Sequence, residues 1–147
     1  MGATRGDAQG PEAQSRPGVT RPRPTSPHLQ VWRWHLTMAS SIFQRATGVA
    51  LYVGALIAAA WAVSLAMGPD AYGLVTGLLG SILGKLVLFG LTLSIFYHLA
   101  KGIQHLVWDT GHGFQPRTAT LAAALVMGFA VVATLVVWAL AFATGGA

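Results

Sequence analysis

Inside one long apolar run, His98, His105 and Asp109 recur with Gly102 between them. Nowhere else do ionisable side chains gather at helical spacing within such a run. At 100° per residue these four positions fall within about 60° of one another, so a helix here carries two imidazoles and a carboxylate on one face. Histidine inside a membrane span is rare and usually functional. Neutral imidazole is a common iron ligand and a usual axial ligand of haem, and a glycine beside it gives a flat macrocycle room to approach. The same imidazoles suit a helix–helix hydrogen bond or a proton relay equally well. His98 and His105 cannot share one iron. Seven residues of helix separate them by about 10 Å, whereas two axial nitrogens lie only about 4 Å apart. The other apolar runs contain no histidine, so the second ligand of a doubly ligated haem has to come from another chain.

A second set of candidates opens the first apolar run. Ser41, Arg45, Gly48 and Tyr52 share one helical face, and Arg45 is the only charge in that run. Arg45 either snorkels to the headgroups or faces an internal site that bears negative charge or a carbonyl oxygen. Lys85 lies more than about 100° from the His98 stripe, and it either pairs with a partner chain or snorkels.

Composition narrows the classes. The chain has 147 residues, 54% hydrophobic and 9% charged, against about 25% charged in an ordinary soluble domain. That is a membrane protein with a small core of its own and a need for protein partners. The absence of cysteine excludes disulfides, thiolate metal sites, iron–sulfur ligation and cysteine nucleophiles. No dinucleotide-binding glycine fingerprint precedes a strand, so flavin binding is not expected. The net charge of +5 sits largely in the N-terminal third, beside a membrane span, where orientation explains it and nucleic acid does not.

Three spans must position these residues. Residues 1–24, rich in Gly, Pro, Ala and Arg, read as a disordered tail. A transit peptide is the competing reading, with Asp7 and Glu12 against it. Residues 25–147 form the membrane domain, with spans over about 38–67, 74–107 and 119–142. The expected fold is therefore all-α, a transmembrane three-helix bundle with a disordered N-terminal tail. The second run exceeds the roughly 20 residues that cross a bilayer, so it should tilt or protrude. Gly77, Gly80 and Gly84 would continue the His98 face and admit another helix or a flat ligand. Trp61, Trp108 and Trp138 fall near membrane boundaries, as an aromatic belt requires. His28, His35 and His112 read as surface or headgroup residues. The arginines before span one, and Lys101 and Arg117 around the second loop, place both on the cytoplasmic or matrix side. Ser41, Arg45 and the His98–Asp109 stretch then lie toward that same side.

Two blocks of this sequence resemble a known family. Tyr97-His98-x-x-x-Gly102-Ile103-x-His105-x-x-x-Asp109 resembles the signature of the succinate dehydrogenase cytochrome b subunit, the larger membrane anchor of that complex. Ser26-Pro27-His28-Leu29 through Trp32, then Ser40-Ser41-Ile42-x-x-Arg45-x-Thr47-Gly48, resembles a second block of the same family. The resemblance covers about residues 24–142. It implies His98 as the axial ligand of a haem b, with His105 in the haem environment. It also implies Ser41 and Arg45 at a ubiquinone-reduction site, with Arg45 alternatively on a haem propionate, and Asp109 and Trp32 bordering the quinone pocket. The implied partners are a second membrane anchor that donates the other haem ligand, an iron–sulfur subunit, a flavoprotein subunit and the lipid bilayer. The implied location is a bacterial inner membrane, or the mitochondrial inner membrane in a eukaryote. A haem-free proton-coupled transporter is the alternative function. Two departures stand out: the family commonly has His-Arg where this chain has Gln44-Arg45, and Arg where it has Gln104.

Overall fold

The computed structural model describes residues 33–145. The expected tail, together with His28 and Trp32, lies outside them. Four helices follow in order: α1 (Leu36–Met67), α2 (Pro69–Gly80), α3 (Ile82–Asp109) and α4 (Pro116–Ala143). No strand occurs among the described residues. Three helices, α1, α3 and α4, are long and apolar enough to cross a membrane. At 1.5 Å per residue they measure about 42–48 Å, against a hydrocarbon core of about 30 Å, whereas α2 at about 18 Å is too short to span.

The second apolar run departs from expectation. One helix was expected from about Leu74 to Val107, and the chain instead breaks at Ser81. Ser81 is extended (φ −65°, ψ 162°) and its side chain caps α3. The hydroxyl accepts from Gly84 N at 3.1 Å and donates to the Leu78 carbonyl at 2.6 Å, so one residue ends α2 and starts α3. Gly84 is fixed by the same joint. A Cβ there would run into the carbonyl oxygens of Leu78 and Leu79 and sit 2.6 Å from Leu79 Cα. The joint takes Gly77 and Gly80 off the helix that carries His98, whereas Gly84 stays on α3 and on the His98 face. Gly77 and Gly80 belong to α2 and have open space at their Cβ positions.

The other breaks follow simple chemistry. Gly68 adopts φ 107°, which an L side chain rarely takes, and Pro69 follows as the first residue of α2. Gly111 and Gly113, both with positive φ, turn the chain back into α4, which also starts on a proline. The chain therefore brings the start of α1, the end of α3 and the start of α4 to one end of the bundle. Trp108 marks that end, ringed by Phe114 and Gly113. Trp61 and Trp138 mark the other, lining a cavity of about 620 Å³.

The centre is built from small and polar side chains. Ser40, Ser64, Ser94, Thr134, Ala123 and Ala130 are buried, while most Leu, Val and Ile side chains face outward. Lipid tails are as apolar as leucine, so burying leucine drives little association there. Small residues instead let the backbones approach, and hydroxyls bond across or back along the helices. Tyr97, Val126 and Ala130 form the apolar part of this centre, with Leu93, Phe96, Ala100 and Met127 packed on it.

Candidate functional site

The polar contacts between α1 and α3 concentrate around Tyr97 and His98. Tyr97 is 5% exposed. Its hydroxyl donates to the Ser40 carbonyl at 2.7 Å and pairs with Ser40 Oγ at 2.9 Å. With its one proton on the carbonyl, Tyr97 accepts from the serine. This contact sets the register of α1 against α3. Replacing Tyr97 by phenylalanine keeps the edge-on packing against Phe43 but strands two buried serine groups. The expected loss is about 1–3 kcal/mol, read as a lower melting temperature in detergent. Unchanged melting would show that the pair does not hold the register.

The next residue carries the imidazole. His98 is half-buried and lies against α1 where Gly48 has no side chain. A Cβ at Gly48 would sit 3.4 Å from His98 Cε1. Thr47 Oγ1 lies 3.2 Å from His98 Nδ1. The threonine proton is already directed at the carbonyls of Phe43 (2.8 Å) and Gln44 (3.1 Å). Thr47 can therefore only accept, so Nδ1 carries the hydrogen and Nε2 keeps its lone pair. A second contact, 3.4 Å from Gln44 Nε2 to His98 Nε2, then runs from the amide to that lone pair. Gln44 Oε1 is enclosed without a partner. Gln44 is thus held by one long bond and left half unsatisfied.

The remaining sequence candidates fall around this contact. Gly102 is half-buried, and His105 and Asp109 are exposed farther along α3. The His105 ring lies 5.3 Å from that of Trp108. Ser41 and Arg45 are exposed. Their predecessors Ser40 and Gln44 face inward, toward Tyr97 and His98. Ser41, Arg45, His105 and Asp109 are therefore not joined by contacts within the chain. They lie on the outward surface of α1 and α3. His112 sits exposed in the loop, bonded to Thr110.

Sequence reasoning missed Thr47, Gln44 as a His98 partner, and the burial of Lys101. Gln44 lies three residues before Thr47 and four before Gly48, at helical spacing, but only the pairing of α1 with α3 shows which imidazole they meet. No group of three or more His, Asp or Glu side chains able to hold a metal occurs among the described residues. Metal binding by this chain alone would thus rest on single imidazoles.

Three membrane-length helices around a polar seam, with one imidazole presented at the seam's edge, define a multi-pass helical membrane protein. The family described as the succinate dehydrogenase/fumarate reductase transmembrane subunit matches residues 19–137. The chain belongs to that family. Among its relatives, the succinate dehydrogenase cytochrome b556 subunit of Paracoccus denitrificans is 38% identical over 114 residues, 77% of this chain and 88% of the relative. The cytochrome b556 subunit of Rickettsia felis is 33% identical over 79% of this chain and 90% of its own length. The mitochondrial cytochrome b560 subunit of Sus scrofa is 36% identical over 77% of this chain and 68% of its own.

Proposed function

We propose that this chain is the cytochrome b membrane anchor of a succinate dehydrogenase, with His98 as one axial ligand of a haem b held between it and a second membrane subunit. The observation that carries this is the Thr47 contact, which leaves His98 Nε2 as a lone-pair donor. A metal-bound histidine needs its other nitrogen engaged in just this way. The rest of the site fits a flat group. Gly48 leaves space beside the ring, and the face through Gly102 to His105 is open. Gln44 has to turn away from Nε2 for iron to bind. Its long bond and orphaned Oε1 make that move cheap, since the amide gains partners elsewhere. Bound haem b supplies a one-electron centre.

The outward residues serve the quinone in this reading. Ubiquinone binds in a pocket completed by the partner subunits, where the Ser41 hydroxyl donates to a carbonyl oxygen. The Arg45 guanidinium, alternatively directed at a haem propionate, stabilises the negative charge that grows there during reduction. Asp109 lies toward the same end of the bundle and supplies protons, while Trp32, outside the described residues, is assigned to the pocket by the resemblance alone. His105 contributes to the haem environment. Succinate oxidation belongs to the flavoprotein and iron–sulfur subunits, for which this chain has neither a dinucleotide fingerprint nor a cysteine. The positively charged flanks put the N-terminus and the α3–α4 loop in the cytoplasm, or in the matrix of a mitochondrion. Family membership removes the ground for a proton-coupled transporter.

The test is purification in mild detergent through a C-terminal tag. A b-type spectrum and co-purifying flavoprotein, iron–sulfur and second anchor subunits are expected. A chain that arrives without haem and without dehydrogenase subunits would sink this reading.

A further inference from the structure

Among the described residues Lys101 is the one buried cation, 3% exposed. Arg45 and Arg117 are exposed and Lys85 is half-buried. The Lys101 Nζ donates to Gln104 Oε1 at 2.7 Å and lies 4.8 Å from the centroid of the Trp108 ring. A carbonyl dipole on one side and a π face on the other stabilise the ammonium and offset part of the cost of its burial. No described carboxylate answers that charge. Asp70 sits on α2 at the opposite end of the bundle, and Asp109 is exposed at the end of α3. Gln104 gives its oxygen wholly to the lysine, and its Nε2 is enclosed without a partner. The amide has been committed to holding the ammonium in place.

The position of the charge matters. Lys101 stands three residues after His98 and four before His105, the spacing at which side chains on a helix are neighbours, with Cβ atoms about 5–6 Å apart. In surroundings of low dielectric a fixed charge acts more strongly and over a longer range than in water.

We propose that Lys101, fixed by Gln104 and Trp108, is an electrostatic positioning residue that raises the reduction potential of the haem held at His98, an inference that rests on the haem reading above. Oxidised haem carries one more positive charge than reduced haem. A neighbouring ammonium therefore disfavours the oxidised state. Lys101 acts through its field and touches neither iron nor quinone.

The experiment is a potentiometric titration of the purified complex, following the reduced haem band. Lys101→Met should shift the midpoint to lower potential with the band position unchanged, and Lys101→Arg should stay near the wild type. Gln104→Glu keeps the shape of the side chain and sets a carboxylate on the ammonium, so it should also lower the midpoint. If Lys101→Met fails to assemble, the Gln104→Glu midpoint decides. Unchanged midpoints in these variants, or an equal fall in Lys101→Arg, would overturn the proposal. A wild-type complex with no b-type spectrum would remove the haem reading and this one with it, whereas a normal spectrum with unmoved midpoints removes this one alone.

Discussion

His98→Ala abolishes the b-type absorption spectrum of the purified complex. The expected loss of haem exceeds the roughly 10–100-fold in affinity that follows from removing a hydrogen-bond partner behind a ligand, because the donor atom itself is gone. Among the described residues no other imidazole can step in. His105 is two turns away, about 10 Å along the helix, and His35 and His112 lie outside the spans, at the start of α1 and in the loop before α4. His105→Ala is the paired control, and it should keep the spectrum. The structure also predicts that the anchor folds without the imidazole, since Ser40–Tyr97 holds the helices independently. A His98→Ala complex that assembles with a full b-type spectrum would show that the ligand is another side chain.

Gly84→Ala has the second large effect, on stability. Its new methyl would meet the carbonyls of Leu78 and Leu79, and backbone cannot give way as a flexible side chain does. Opening the α2–α3 joint also threatens the Ser81 cap, whose acceptor bond comes from Gly84 N itself. The expected cost is about 1–3 kcal/mol, the range of overpacking, measured as a lower midpoint of thermal unfolding in detergent. Gly90→Ala provides the contrast. Its Cβ meets nothing within 4 Å, so the helix gains up to about 1 kcal/mol in propensity and loses no contact. Equal stability of the two variants would mean that the joint is not rigid.

These two positions show what a single sequence makes legible. Three spans were readable because about 20 consecutive apolar residues need no tertiary information to be recognised. His98 stood out because an imidazole in such a run is conspicuous, and the pairing of α1 with α3 adds its contacts with Thr47 and Gln44. The break at Ser81 was hidden, since apolar residues continue on both sides and a serine after a glycine is a weak signal within 34 hydrophobic-rich positions (about residues 74–107). The inward face of α1 was also out of reach. Periodicity groups Ser41 with Arg45 correctly, but only the helix pairing reveals that Ser40 and Gln44, one step round, are the residues that touch α3. Lys101 illustrates the same limit, because hydropathy alone suggests a flank residue and the fold encloses it.

The contacts between Ser40 and Tyr97 and between Thr47 and His98 join residues more than fifty positions apart. Thr47 can bond within its own helix, but the partners of Ser40 and Gln44 across the seam are made only after the chain has passed Ser81. The seam is therefore completed by residues synthesised late, and it closes onto a helix synthesised early.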